Sequence, residues 1–374
     1  MAVDFSSLSL FRATPTQITE SRRRTLAEWG RGLTLEEHLA RDASQDQFDG
    51  SRDGRLITWV LAPRDDPQTL EFKCACETYR RTGLIKANRT IKVVPCYAIA
   101  SVFTPPENRD KGFARHMMRL LHWVIADVSL LPAREYPAAW GAPPLKVEGT
   151  RNGHFSALWS DVGHFYNACG SIPGTREGWV VRGTATTVWD VDSSPAIDRT
   201  VEWTWLDDSG VSELWVNDAE TIRAHVEKSD NPGPSFSYLP TDGVASFQHR
   251  RLELFLQRLT MPPKTWGVAS PDRAAYATWT IDPRPPAPRT LTVSRLRADA
   301  HIFGELVGRI LELARKHEVK RVEIWNLPTE LEALAGTLGA ETHARTEHLP
   351  AFKWYGKESE ADVAWVFNER FCWC

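Results

Sequence analysis

Twice along this 374-residue chain an apolar run passes through a polar loop directly into an amphipathic helical pattern. In the first instance Val93 to Phe103 reads as a well-buried strand, and Phe113, Met117, Leu121 and Val124 then recur on one helical face. In the second, Leu291 to Leu296 is the strand, and Ile302, Phe303, Leu306, Val307, Ile310, Leu313 and Ala314 mark the buried stripe. A strand whose helix crosses back to a parallel neighbour does so with one hand. Each half of the chain is therefore expected to build a layer of sheet covered by helix around the same unit.

The remaining elements fit round those two units. Leu8 to Ala13 reads as a strand, and a helical stretch from Ile18 through Leu26 to Leu39 is split by Gly30 and Gly32. Leu56 to Ala62 and Glu71 to Tyr79 are strand-like and joined across Pro63 to Thr69, a run of turn formers, which predicts a hairpin. Residues 127–153, with Pro132, Pro137, Pro143 and Pro144, are too proline-rich for regular structure and form an excursion. Phe155 to Ser160 is a strand, and Asp161 to Gly170 reads as a turn, a short helix and a glycine stop. Further on, Ala219 to Lys228 and Ala245 to Leu259 look helical, as does Thr329 to Leu338. Trp266 to Ala269, Ala274 to Ile281, Arg321 to Trp325, Ala351 to Tyr355 and Val363 to Phe371 look like strands. The expected division is one domain over 1–200 and a second over 201–374.

Charge and composition narrow the function. A net charge of −3 and a pI near 6.4 give no general basis for binding nucleic acid or an anionic membrane. The N-terminus lacks the charged and apolar regions of a signal peptide, and no apolar stretch approaches the roughly 20 residues that span a bilayer. A cytoplasmic protein without membrane or nucleic-acid partner is expected. Its six cysteines would then be reduced thiols. Cys74-x-Cys76 and Cys372-x-Cys374 invite a zinc reading, but the one-residue spacing is tight and no paired histidines accompany them, so no metal is expected. Sixteen tryptophans supply core and interface residues, and suit an aromatic-walled pocket.

The loop before the first amphipathic helix, Thr104 to Arg115, carries the chemistry. Backbone N–H groups in the first turn of a helix have no intrahelical partner, and the helix dipole adds positive potential, so a phosphate is favoured there. Gly112 lets a ligand approach the backbone, Ala114 is small, and Arg109, Lys111 and Arg115 add charge, with Asp110 discordant. The plainer reading is a basic turn capping an amphipathic helix. A dinucleotide fingerprint fits poorly, since there is one glycine rather than three and no acidic residue about twenty positions later on the end of a second strand.

The spacing Arg-x-x-Gly-x-Ala over Arg109 to Ala114, followed in order by the Trp-Ser-Asp-Val-Gly-x-Phe-Tyr block ending at Tyr166, resembles the GCN5-related N-acetyltransferases, the GNAT superfamily. The resemblance implies an α+β class: a mixed, mostly antiparallel sheet flanked by helices, then a degenerate second copy. It implies acetyl-CoA as co-substrate, held by Val102, Phe103, Thr104, Arg109, Asp110, Lys111, Gly112, Phe113, Ala114, Arg115 and Ser160. Backbone N–H groups near Val102 and Phe103 would hold the thioester oxyanion, each such donor being worth about 3 kcal/mol. Tyr166 would face the sulfur and protonate the departing thiolate. The amine, with a reference pKa of about 10.4, needs a base, for which Glu77 is the first candidate and Asp161 the second. The whole pattern is similar to fungal lysine N6-acetyltransferases, which act on free L-lysine in lysine catabolism by direct attack in a ternary complex. The alternatives are another primary amine (a protein lysine, a polyamine or a drug) or a non-catalytic module that binds coenzyme A.

The second copy offers Arg297-Ala298-Asp299-Ala300-His301-Ile302 where the phosphate loop stood. It has no glycine, and Asp299 is placed to cap the helix with the N–H groups a phosphate would need. This copy is expected not to bind coenzyme A. Its expected role is to form part of the acceptor site, or else to stabilise the first copy.

Overall fold

The computed structural model describes residues 3–133, 135–197 and 200–374. Residue 134 of the proline-rich stretch and residues 198 and 199 beside the expected domain boundary lie outside the described residues. In chain order the first elements are β1 (Leu8–Arg12), α1 (Pro15–Trp29), α2 (Leu35–Gln45), β2 (Leu56–Pro63), β3 (Cys74–Ala87), β4 (Thr90–Phe103), α3 (Phe113–Ile125) and β5 (Phe155–Ser160). Then come β6 (Val180–Val181), β7 (Ala185–Asp190), β8 (Thr204–Leu206), α4 (Asp208–Lys228), β9 (Ser235–Tyr238), α5 (Phe247–Arg250) and α6 (Glu253–Leu256). The last are β10 (Gly267–Ala269), β11 (Tyr276–Asp282), β12 (Thr290–Arg297), α7 (Ala300–Lys316), β13 (Arg321–Trp325), α8 (Thr329–Thr337), β14 (Ala340–Ala344), β15 (Leu349–Trp354) and β16 (Ala364–Trp365).

Local chemistry accounts for many of the boundaries. Thr14 and Gln17 form a capping box at the start of α1, with Pro15 at its first position, and Thr34 and Glu37 do the same for α2. Between these helices Arg31 and Gly32 both take positive φ, 50° and 85°, so the helical pattern breaks where the glycines predicted. The β2–β3 pair is antiparallel, as the turn-forming run indicated, but β3 runs eight residues past Tyr79, to Ala87. It turns into β4 through Asn88 and Arg89, at φ of 50° and 63°, the left-handed pair that a two-residue hairpin requires. The helix expected over Ala245 to Leu259 is two short pieces, and the strand expected over Val363 to Phe371 shrinks to β16 and a 3₁₀ turn at Arg370–Cys372.

Two mixed sheets result, so the α+β class and the doubled architecture stand. The first runs β1-β2-β3-β4-β5-β15-β6, with β9 on the far end of β3 and β16 on β9. The second runs β14-β7-β13-β12-β11-β10-β8. In each, one parallel pair surrounds the crossover helix, β4-α3-β5 in the first and β12-α7-β13 in the second. The strands do not divide at residue 200. β7 pairs with β13 and β14, which puts Ala185–Asp190 in the second sheet, and β15 pairs with β5 and β6, which puts Leu349–Trp354 in the first. Each sheet thus draws on the other half of the chain: the first takes β9, β15 and β16, and the second takes β7.

Apolar clusters hold this together, a small one around Val60, Ala62, Phe72 and Ala75 and three larger ones. The buried face of α3 packs on the first sheet through Met117, Leu121 and Val124, and α7 packs on the second through Phe303, Leu306 and Ile310. A third cluster joins the halves, with Leu214, Ile222 and Val226 of α4 set against Leu84 and Phe155 from one sheet and Tyr276 from the other. One buried polar chain crosses the first layer. The His122 ring stacks on Trp179 at 4.2 Å, and its Nε2 donates to the Cys169 carbonyl at 2.8 Å. Its Nδ1 must then accept from the Tyr355 hydroxyl at 3.1 Å. Burial pushes this histidine down to about 3, so it is neutral.

Candidate functional site

The pairing of β4 with β5 is short: Tyr97, Ala98 and Ile99 face Ser156, Ala157 and Leu158, and both strands continue past the last pair. On its other side β4 carries a bulge. Ala75 faces Phe103 and Glu77 faces Ala100, so Ser101 and Val102 together oppose Cys76. Ser101 takes φ of 52° to make this possible, and its hydroxyl donates to Glu77 Oε2 at 2.7 Å. Beyond the bulge the chain turns through residues 104–112 into α3. Gly112 is the N-cap at φ +83°; no side chain caps this helix, and its first turn holds no acidic residue. A Cβ on Gly112 would also meet the Phe5 ring at 3.1 Å. The equivalent end of α7 is closed: the Asp299 carboxylate accepts from the His301 and Ile302 N–H groups at 3.0 and 3.3 Å.

A cavity of about 320 Å³ opens where β4 and β5 part. Ile99 to Val102 line it from β4, and Trp159 and Asp161 from β5 and the turn after it. Helices α1 and α2 contribute Arg22, Trp29, Arg41 and Asp42. The second half closes it with Phe247, Arg251, Asp282, Arg284, Arg370 and Trp373. Most of the charges are matched. Arg22 pairs with Asp46 at 2.6 Å, Arg41 with Asp42 at 2.6 Å and Arg284 with Asp282 at 2.5 Å. Asp161 is tied to the ring of His348 at 3.1 Å and accepts from its backbone N–H at 2.7 Å, which holds its carboxyl below the usual range. Among the carboxylates of the lining Glu77 is the exception: among the described residues it has no ion pair, and burial raises its carboxyl above the ordinary 4.5 against the lowering effect of the Ser101 hydroxyl.

The residues singled out from sequence therefore divide. Glu77 and Val102 line the cavity, and Phe103 is buried beside it with its ring edge-on to Trp29 at 5.7 Å. Gly112, Phe113 and Ala114 form the open helix end, and Arg115 and Lys111 are exposed around it. Lys111 Nζ donates to the Glu107 carbonyl at 2.6 Å. Arg109 turns away, donating from Nε to the Thr104 carbonyl at 3.0 Å and pairing with Glu28 of α1. Asp110 is exposed and takes φ of 60° in the loop. Ser160 spends its hydroxyl on the following turn, bonded to Gly163 O at 2.8 Å and Val162 N at 3.1 Å. Tyr166 is 9% exposed in the core layer under α3 and does not line the cavity. Burial raises its hydroxyl pKa, and that hydroxyl has no hydrogen bond among the described residues. Sequence reasoning missed Arg251, Arg370 and Trp373, whose local patterns carry no sign that they line one cavity with β4.

A family profile described as LYC1 GNAT-like C-terminal domain matches residues 188–374. A lysine acetyltransferase of Yarrowia lipolytica is 29% identical over 185 residues, which is 48% of this chain and 42% of that protein. The chain thus matches less than half of that relative's length. Among solved structures, a probable N-acyltransferase from Enterococcus faecalis superposes over 93% of this chain and 73% of its own, at a TM-score of 0.55 and 12% identity. A GCN5-related N-acetyltransferase from Kribbella flavida does so over 93% and 72%, at 0.52 and 15%. These two support the fold. Taken with the open helix end, the bulged fourth strand and the duplicated sheet, the profile match shows that this chain belongs to the GNAT superfamily, with a C-terminal half of the LYC1 GNAT-like kind.

Proposed function

We propose that the protein is an acetyl-CoA-dependent N-acetyltransferase that modifies the side-chain amine of free L-lysine by direct attack in a ternary complex. The observation that carries this reading is Glu77, a carboxylate without an ion pair, facing the cavity where β4 and β5 part. A protonated amine cannot attack a thioester, and a carboxylate whose pKa is raised is a better proton acceptor than one locked to an arginine. The fit to acetyl-CoA is supported by the uncapped start of α3, with exposed Lys111 and Arg115 beside it. In this reading the backbone at Val102 and Phe103 holds the developing oxyanion, and Tyr166, kept protonated by burial, supplies the thiol proton. Lysine as the acceptor is supported by the partial match to the Yarrowia enzyme.

The test is release of free thiol from acetyl-CoA with a panel of amines. L-lysine is expected to be turned over best, and Glu77→Gln to lower kcat by a hundredfold or more, about the loss that follows removal of a general base. The wild-type kcat/KM should rise with pH through a group lying above 4.5, and that limb should vanish in the variant. Turnover of peptides but not lysine, or full activity in Glu77→Gln, would sink the proposal.

A further inference from the structure

Three arginines beside the cavity have no carboxylate side chain at ion-pair distance among the described residues, and two indole rings stand where counter-ions would be. Arg345 lies 4.0 Å from the ring centre of Trp325, and Arg370 lies 4.3 Å from the same ring. Arg370 is also 4.1 Å from the ring of Trp373, and Arg251 is 4.2 Å from that ring. Cation and ring thus alternate through five side chains. The Nε atoms of all three arginines are buried without a hydrogen-bond partner, and Arg370 is only 6% exposed. Arg345 is anchored on the carbonyls of Ala185 and Gly183. Arg251, Arg370 and Trp373 form the end that reaches the cavity.

Ring faces attract cations but do not neutralise them. Burial, joined by the like charges of the neighbours, outweighs the attraction of Glu323 and Asp282; it brings the Arg370 guanidinium down to about 9 and pushes that of Arg251 well below its ordinary value. A desolvated cluster of this kind is relieved by an anion, and two guanidiniums offer a carboxylate planar, forked donors. Glu77 belongs to a different part of the cavity. The charges that act on it are those of Arg22, Asp42 and Asp46, whereas those acting on Arg251 are Arg284, Arg370, Asp282 and Arg41. In one part a carboxylate has no ion pair; in the other two guanidiniums have none, and the carboxylate that faces them, Asp282, is already paired with Arg284 at 2.5 Å.

We infer that Arg251 and Arg370, braced by Trp373, form the subsite that takes the α-carboxylate of a free amino-acid acceptor while its side-chain amine points toward Glu77. This rests on the amine-acetylation reading and makes it narrower: a protein lysine, whose carboxyl is an amide, and a diamine, which has none, would leave the arginines without an anion. The experiment compares L-lysine, L-lysinamide and 1,5-diaminopentane as acceptors, in the wild type and in Arg251→Gln, with acetyl-CoA binding measured by calorimetry as the check on folding. The wild type should prefer lysine over lysinamide by about tenfold to a hundredfold in kcat/KM, the range expected for one charged hydrogen-bonding pair. In Arg251→Gln that preference should collapse toward one, through a raised KM for lysine. Equal use of lysine and lysinamide by the wild type overturns the inference and needs no variant, so it holds even if Arg251→Gln fails to fold. A preference that survives in both Arg251→Gln and Arg370→Lys also overturns it. No lysine turnover by a wild type that still binds acetyl-CoA removes the underlying reading, a result distinct from the other two.

Discussion

Ser101 shows how one residue couples backbone to chemistry. Its left-handed φ is uncommon for a side chain with a Cβ, and here it belongs to the bulge that ends regular pairing between β3 and β4. The same turn of the backbone puts its hydroxyl on the Glu77 carboxylate. A hydrogen bond to the ionised form favours that form, so Ser101 lowers a pKa that burial raises. Ser101→Ala should move the acid limb of kcat/KM to higher pH, and a limb that stays in place would show that the bond does not act on the titrating group. Glu77 could be picked out in the sequence as a carboxylate on a strand next to the loop. That Asp161 is occupied by His348 could not, because its partner lies 187 residues away.

At the scale of elements, α3 and α7 are the same crossover helix with opposite ends. Both follow the strand that begins their parallel pair, both are amphipathic, and one starts on Gly112 where the other starts on Asp299. The difference was legible because capping depends on residues next to each other in the chain. Gly112→Glu should weaken acetyl-CoA binding by tenfold or more, by placing a carboxylate at the anion position on a residue that must hold φ of +83°. Gly112→Asn, which tolerates that conformation without a charge, should weaken it less. Calorimetric titration separates the two, and equal affinities for glycine and glutamate would contradict the role of this helix end. Strands β7, β9 and β14 were not legible: they are short and rich in threonine, serine or charged residues, so they lack the apolar alternation that marks a strand.

The whole molecule is held by exchange between its halves. With β15 in the first sheet and β7 in the second, neither sheet is complete without the other half of the chain. The C-terminal segment that carries Arg370 and Trp373 is fastened to the second sheet by Arg295. That arginine forks onto Asp218 at 2.8 and 3.0 Å and also pairs with Glu369, and it is 1% exposed. The segment is also tied to β3, where Arg81 donates to the Cys372 carbonyl at 2.5 Å. Removing one partner of such a group leaves buried charge uncompensated, so Arg295→Ala should destabilise by about 3–5 kcal/mol in urea unfolding. An unchanged midpoint would mean that solvent already screens the network. The described residues include no helix long and apolar enough to cross a membrane.

By itself the sequence determined what depends on neighbours in the chain: two strand-and-helix units, the break between α1 and α2 at the glycines, an open helix end at Gly112 and a closed one at Asp299. Those features follow from periodicity and from backbone groups that must be satisfied within a few residues. Only the tertiary structure decided which strand completes which sheet, and which charges stay unmatched in the cavity. Strand pairing uses backbone groups common to every residue, so a strand's own pattern does not name its partner. Arg251 and Arg370 gain their meaning from Trp373 and from the distance to other carboxylates, and that distance exists only once the two halves have closed on each other.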